Sequence, residues 1–219
     1  MIPDTNSKFV VFDGLDGSGK GTQLRLLSQK LGGRVVFTRE PGGSASAEEI
    51  RFVVRTSKNA KTLSALAQFL LFWASREDSM EHLIMPALGE GKHVFDDRGD
   101  SSTWAFQIRG EEQKTLVSLF HEMRSRVFLC PGRRPPDLYV FFEVPPEVAR
   151  SRVLSDKGRD PTHFDLKPLS YYERVAQGFR EFGKNHRAVF INGDRGADEI
   201  HEDVCELLRE EIGFSETSV

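Results

Sequence analysis

Residues 9–22 read FVVFDGLDGSGKGT, in which an apolar run typical of a buried strand passes directly into a glycine-rich loop. A helix-periodic segment begins immediately after the loop, so the stretch has the strand, loop and helix order of a phosphate-binding loop. Glycines let successive N–H groups curl around phosphate oxygens, and the following helix adds the positive end of its dipole. The loop predicted to bind a nucleoside triphosphate comprises Gly14, Leu15, Asp16, Gly17, Ser18, Gly19, Lys20, Gly21 and Thr22.

Magnesium coordination is where this loop departs from the usual pattern. Gly21 follows Lys20, whereas the usual loop has a magnesium-binding Ser or Thr there, and Thr22 comes one place later. We therefore expect Mg²⁺ to be held by phosphate oxygens, water and a carboxylate. Asp97, at the end of the predicted strand over residues 93–95, is the leading candidate, and its alternative role is to cap the next helix. Lys20 is expected to place its charge on the β- and γ-phosphates.

Five short apolar runs alternate with long helix-periodic segments, and they occupy residues 9–12, 35–38, 93–95, 138–144 and 188–191. The runs are almost wholly apolar, as expected for strands covered by helices on both faces of a parallel sheet. The pattern predicts a single α/β domain over residues 1–219 with a five-stranded parallel sheet. Residues 155–166 are polar and lie between two predicted helices, so they are predicted to form a mobile lid or, alternatively, a plain connecting loop.

Charge and cysteine content restrict the partners and the compartment. A formal net charge of -3 argues against a general nucleic-acid-binding surface. Cys130 and Cys205 are far apart and lack metal-ligand spacing, which fits a reducing cytoplasm. The first eight residues are polar and unlike a secretory signal, and the longest apolar stretch, near residues 63–74, is well short of the ~20 residues that span a bilayer. We expect a cytoplasmic protein that binds neither nucleic acid nor membranes.

Four further segments carry a family resemblance: TREPGG at 38–43, LLFWASR at 70–76, DR at 97–98 followed by STWAFQ at 102–107, and VPPEVARSR at 144–152. In this order, together with the phosphate loop, they resemble thymidylate kinases over residues 9–182. The resemblance implies a P-loop nucleotide kinase fold with a short lid. It also implies transfer of the γ-phosphate of ATP to thymidylate with Mg²⁺, and a homodimer.

The predicted acceptor site is rich in arginine. A kinase that holds two polyanions close together needs guanidinium groups that approach phosphate from several directions, and Arg39, Arg76 and Arg98 follow strands or line the expected cleft. The resemblance implies that Arg98 grips the acceptor phosphate and that Arg76 reaches the edge of the base.

Other acceptor contacts are also implied by the resemblance. Phe72 stacks on thymine, and its spacing from the arginine four residues later puts both on one helical face; without the resemblance, Phe72 is read as a core residue. Asp16 lies near the sugar 3'-hydroxyl. Ser102 and Thr103 belong to the acceptor wall, or act only as caps.

No covalent enzyme intermediate is required by the implied mechanism, because an acceptor phosphate oxygen attacks the γ-phosphorus in line. No arginine follows Asp16 in the phosphate loop, which resembles the bacterial type, whose lid supplies the cations of the transition state. Lys157 and Arg159 are the candidates, with Arg152 at the root of the lid.

Several departures from the family pattern lie on the acceptor side. Gly99 replaces an aromatic residue or His, Phe106 replaces a tyrosine beside the sugar 2' position, and the lid has Thr162 and His163 where Asp and Arg are usual. Two alternatives therefore stay open: a kinase for another deoxynucleoside monophosphate, or a non-catalytic nucleotide-binding regulator. A GTPase is disfavoured because no Asn-Lys-x-Asp motif is present.

Overall fold

The computed structural model describes residues 6–156, 158 and 164–213 and contains a five-stranded parallel sheet. The strands are β1 Phe9–Gly14, β2 Val35–Arg39, β3 His93–Asp97, β4 Leu138–Glu143 and β5 Ala188–Asn192, arranged in the order β2-β3-β1-β4-β5. Each strand begins at the residue where the apolar pattern places it. The predicted α/β class and parallel five-stranded sheet are confirmed.

Helices occupy most of the described residues between the strands. They are α1 Lys20–Lys30, α2 Ala45–Arg51, α3 Ala65–Ser79, α4 Met85–Gly89, α5 Asp100–Ser102, α6 Val117–Phe128, α7 Pro146–Ser155, α8 Leu169–Gly183 and α9 Ala197–Ile212. Wider π-helical turns over Phe52–Thr56 and Thr103–Gly110 extend α2 and α5, and a third over Met80–Ile84 joins α3 to α4. Short 3-10 turns at Ala60–Thr62 and Lys114–Leu116 precede α3 and α6. None of these helices is both long and apolar enough to cross a membrane.

Successive residues of β1 point to opposite sides of the sheet, and both sides are covered. Phe9 and Val11 belong to a core that includes buried side chains of α3, α6 and α8, whereas Val10 and Phe12 pack with α1 and α9. This two-sided burial explains why the strands lack the alternating pattern of a half-exposed sheet. The predicted helices on both faces are confirmed.

The strand order places the loops that follow β1, β2 and β3 next to one another. Asp97, the last residue of β3, is paired in register with Phe12 of β1 and Arg39 of β2. Because the sheet is parallel, the carboxyl ends of these strands share one edge, which is where ligands bind in open α/β sheets.

Candidate active site

The phosphate loop joins β1 to α1 and has a backbone that requires glycine. Gly17 and Gly19 have φ values of 84° and 90°, in the left-handed region. A Cβ at Gly17 would lie 2.4 Å from the carbonyl oxygen of Ala149 in α7, so a side chain there would push the helix away. Gly19 caps α1 without a side-chain hydrogen bond, which leaves the first amides of the helix available to an anion.

Lys20 is the first residue of α1, and its buried amine donates to the Asp97 carboxylate at the end of β3. Burial acts to raise the pKa of Asp97, but Lys20 and Arg98 outweigh it and lower that pKa. Asp97 is therefore held in the carboxylate form, and a third of its side chain is exposed.

The donor chemistry around Asp97 fits Mg²⁺. Among residues 6–156, 158 and 164–213 no group of three or more His, Cys, Asp or Glu side chains could hold a metal by itself. Magnesium commonly binds through one or two carboxylates together with substrate phosphates and water. A single ionised carboxylate beside a phosphate loop meets that requirement.

Arg98 connects the phosphate loop to the neighbouring cavity. Its guanidinium donates to Asp13 at 3.1 Å, to Asp16 at 2.7 Å and to Ser102 Oγ at 3.1 Å. Burial alone would lower the pKa of Arg98, but Asp16, Asp13 and Asp97 raise it overall. Its backbone φ of 83° is uncommon for a residue with a side chain, and such strain is often found at functional sites.

A cavity with an empty volume of about 620 Å³, partly open to solvent, lies beside the phosphate loop. It is lined by Asp16, Glu40, Pro41, Arg55, Phe72, Arg76, Arg98, Gly99, Ser102, Thr103, Phe106, Gln107 and Phe164. We call it the acceptor cavity.

Two residues that line the acceptor cavity carry buried polar atoms without hydrogen-bond partners among the described residues. Arg76 is buried and forms a double hydrogen bond with Glu40, from Nε at 2.8 Å and from Nη2 at 2.6 Å, while Nη2 also donates to Thr103 at 3.1 Å. Arg76 Nη1 and Gln107 Oε1 are buried but have no hydrogen-bond partner among the described residues. The half-buried ring of Phe72 also lines this cavity. The residues that line the cavity thus offer one donor, one acceptor and an aromatic ring.

A second cavity lies on the other side of the phosphate loop. It is lined by Asp16, Gly17, Gly19, Thr22, Gln23, Arg152, Val153, Asp156, Gly193, Arg195, Ala197 and Ile200. We call it the donor cavity. Asp16 of the phosphate loop lines both cavities.

Most of the acceptor residues expected from the sequence line one cavity, but Arg39 does not. It is exposed, and its guanidinium donates to Glu48 at 3.0 Å. Arg159 and Lys157, the expected lid cations, lie outside the described residues. Ser102 supports Arg98 and donates to Asp13 at 2.9 Å, and Thr103 accepts from Arg76.

Sequence reasoning gave no role to five residues that line the cavity: Glu40, Pro41, Arg55, Gln107 and Phe164. Glu40 and Gln107 lie inside the TREPGG and STWAFQ segments, which carry the family resemblance. The resemblance marked the segments but did not show what these two side chains do. No sequence signal pointed to Arg55. It reaches the cavity because it lies in the π-helical turn that extends α2.

Two departures from the family pattern can be seen in the cavity wall. A Cβ at Gly99 would lie 2.9 Å from Val11 Cγ1, so any side chain at this position would require the valine to shift. The Phe106 ring lies 5.0 Å below the Arg98 guanidinium, an arrangement that stabilises the cation.

Asp96 on β3 is a buried carboxyl group whose oxygens have no hydrogen-bond partner among the described residues. Burial, Glu40 and Asp97 raise its pKa well above the usual 3.8. The folded state therefore holds this proton more tightly than the unfolded state, and stability is lost as the pH rises from 3.8 toward the folded-state pKa.

We expect Asp96→Asn to remove this pH dependence, because the amide does not ionise. Urea unfolding at about pH 5 and about pH 8 should show that the variant gains stability over the parent at the higher pH. Glu202→Gln, which removes an exposed carboxylate from α9, is the control and should follow the parent. An equal difference between parent and Asp96→Asn at both pH values would mean that Asp96 is ionised throughout.

A strand, a glycine-rich loop and a helix form a phosphate loop with a cavity on each side of Asp16, and nucleotides bound there would meet at their phosphates, as direct phosphoryl transfer requires. Fold and site together place the chain in the class of P-loop nucleotide kinases.

Comparison with known proteins narrows this class. A family model described as "Thymidylate kinase" matches residues 12–204. The thymidylate kinase of Ruegeria pomeroyi is 38% identical over 206 residues, covering 91% of this chain and 93% of the relative. That of Dinoroseobacter shibae is 36% identical over 206 residues, covering 92% of this chain and 96% of the relative. The crystal structure of thymidylate kinase from Ehrlichia chaffeensis matches with a TM-score of 0.73 and 28% identity, covering 92% of this chain and 98% of the other. The chain belongs to the thymidylate kinase family.

Proposed function

We propose that this enzyme transfers the γ-phosphoryl group of ATP to thymidylate, giving thymidine diphosphate and ADP. The observation that supports the type of base is the pair of unpartnered atoms in the cavity that Phe72 also lines; the choice of thymine over uracil, which has the same edge, rests on membership of the thymidylate kinase family. Arg76 Nη1 is a donor and Gln107 Oε1 an acceptor. A thymine edge presents a carbonyl oxygen next to an N–H group, so it can satisfy both atoms while its ring stacks on Phe72.

Each end of the acceptor has its own set of contacts. Arg98 would bind the acceptor phosphate, because its guanidinium is already held in place by Asp13 and Asp16 and needs no reorganisation. Asp16 lines both cavities and would lie near the sugar. The acceptor phosphate oxygen can then attack the γ-phosphorus in line.

On the donor side, the loop amides and Lys20 would hold the β- and γ-phosphates. Asp97 would hold Mg²⁺, which supplies neutralisation of the phosphate charge when it is bound. Arg159 is proposed as the lid cation that acts in the transition state, since the phosphate loop has no arginine after Asp16.

The acceptor can be tested with an ADP-release assay across deoxy- and ribonucleoside monophosphates. Thymidylate should give the highest kcat/KM of the panel. Phe72→Ala should raise the KM for thymidylate about 10- to 100-fold with little change in the KM for ATP, because loss of a stacking partner costs about 1–3 kcal/mol. A panel in which deoxyuridylate or another deoxynucleotide exceeds thymidylate would replace the proposed acceptor. Nucleotide binding without turnover on any acceptor would favour a regulatory protein.

We also propose that the enzyme is a homodimer. Of the nine large apolar side chains exposed among the described residues, four lie on two elements that pack against each other: Phe52 and Val53 in the turn after α2, and Leu66 and Leu70 on α3. Such a concentration of exposed apolar groups marks an interaction surface, and a second copy of the chain is the occupant that the family resemblance implies.

Light scattering should give twice the mass of the chain for the parent. Leu66→Glu combined with Leu70→Glu should give a monomer, because two charges on each subunit would be buried in the interface. The same double replacement at Leu129 and Leu154, which are exposed elsewhere, is the control and should stay dimeric. A parent that is already monomeric at micromolar concentration would contradict the proposal.

The proposed compartment and the proposed number of domains rest on the amino-acid sequence. We propose the cytoplasm as the compartment, because Cys130 and Cys205 are far apart in the sequence and lack the spacing of a disulfide framework or a metal site. We retain a single domain over residues 1–219.

A further inference from the structure

A thiol, an imidazole and an amide form a chain of contacts between α9 and α1. Cys205 Sγ lies 3.5 Å from Nε2 of His201, one helical turn earlier on α9, and His201 Nδ1 lies 3.0 Å from the side-chain oxygen of Gln23 on α1. His201 is buried and Cys205 is half-buried. None of the steps assigned to phosphoryl transfer uses Cys205 or His201.

The contacts of Gln23 determine which nitrogen of His201 carries the proton. Gln23 Nε2 donates to the carbonyl oxygen of Ala197 at 2.8 Å, so the amide oxygen is the atom that faces His201. An amide oxygen can only accept, and Nδ1 of His201 must therefore be the protonated nitrogen. In the neutral ring Nε2 is then a base that accepts the S–H of Cys205.

We propose that Cys205 is a reactive thiol and a site of modification by small electrophiles, hydroperoxides among them, with His201 as its base. His201 Nε2 takes the thiol proton and leaves a thiolate, the form of cysteine that acts as a nucleophile. The thiolate attacks one oxygen of a hydroperoxide, the O–O bond breaks, and the sulfur is oxidised to a sulfenic acid. The leaving oxygen takes the proton from His201, so the peroxide is reduced to water or an alcohol.

Modification of Cys205 would change the donor cavity through the contacts from Cys205 to His201 and from His201 to Gln23. Gln23, Ala197 and Ile200 all line that cavity, and the first two are joined by the hydrogen bond that fixes the amide. An oxygen or larger group on Cys205 must displace His201, which then withdraws the partner of the Gln23 oxygen. This coupling rests on the proposed function, in which the donor cavity binds ATP. Coupling is reciprocal, so bound ATP should slow the modification of Cys205.

The first test measures alkylation rates at each cysteine by mass spectrometry with iodoacetamide as the probe. Cys130 is an internal reference, because it is half-buried, as Cys205 is. At about pH 6 we expect Cys205 to react about tenfold faster than Cys130, because proton transfer to His201 supplies the thiolate that attacks the probe. His201→Gln should remove most of this difference.

Two results would overturn the proposal: equal rates at the two cysteines, or a Cys205 rate that His201→Gln does not change. If that variant does not fold, the pH dependence of the Cys205 alkylation rate in the parent tests the role of His201 instead. The Cys205 rate should be nearly flat between about pH 6.5 and 8, whereas an ordinary thiol reacts about tenfold faster for each pH unit in this range. Parallel profiles for both cysteines would contradict a role for His201.

The second test measures the KM for ATP before and after treatment with hydrogen peroxide. The KM should rise severalfold in the parent and stay constant in Cys205→Ser, and the KM for thymidylate should not move in either. An unchanged KM for ATP in protein whose Cys205 is fully oxidised would overturn the coupling. Alkylation rates do not depend on turnover, so failure of the kinase proposal and failure of this one are distinguishable.

Discussion

Lys20→Ala is expected to lower kcat by about 10²- to 10³-fold, the loss that follows removal of one electrostatic contact to a developing charge. Lys20 starts α1 and turns its amine toward the end of β3, where the phosphates of a bound nucleotide would lie. The fold should survive, because the Asp97 carboxylate that loses its partner is a third exposed and stays near Arg98.

The measurement is turnover at saturating ATP and thymidylate, together with a melting curve for each protein. Lys30→Ala, at the other end of the same helix, is the control and should keep parental turnover. Turnover of Lys20→Ala within a few-fold of the parent would show that the glycine-rich loop does not hold the transferred phosphate.

Arg76→Met is expected to lower the free energy of unfolding by about 3–5 kcal/mol and to abolish measurable binding of thymidylate. Glu40 is buried and its carboxylate is neutralised by Arg76, so removal of the guanidinium leaves a buried charge without a partner. Burial already raises the pKa of Glu40 to about 7 with Arg76 in place. In the variant this carboxyl will take a proton more readily, so stability should fall as the pH rises.

A second variant separates the structural role of Arg76 from its role in binding. Glu40→Gln combined with Arg76→Met removes both charges and should recover most of the lost stability, because replacing a whole buried ion pair by neutral groups is often close to neutral. Thymidylate binding should not return, since the donor at the end of the cavity is still absent. Calorimetric binding by either variant at near-parental affinity would show that Arg76 only supports the fold.

Local patterns predicted most of the fold and part of the site. The five apolar runs gave the strands because a strand buried on both faces needs an uninterrupted apolar sequence. The resemblance implied the roles of Phe72 and Arg76, helical spacing put both on one face, and both line the acceptor cavity. The resemblance to thymidylate kinases, carried by five spaced segments, gave the family.

Long-range contacts were beyond those patterns. Arg98 is held by Asp13 and Asp16, more than 80 positions away, on a backbone with positive φ. Arg39 was expected to bind the acceptor because it follows a strand; its guanidinium donates to Glu48, nine positions away, and it is not among the residues that line the acceptor cavity. Neither the residue type nor the surrounding sequence segment shows that Arg98 lines the cavity and Arg39 does not.

The sequence by itself determined the phosphate loop, the strand and helix periodicity and the α/β class, because each depends on residues close together in the chain. Only the tertiary structure decided which polar groups are neutralised and which remain available to a ligand. Glu40 occupies two nitrogens of Arg76 and leaves Nη1 open, and Gln23 fixes the tautomer of His201 from 178 positions away. A hydrogen bond satisfies a group only within about 3 Å, and the strand order β2-β3-β1-β4-β5, which local periodicity does not encode, sets which groups come that close.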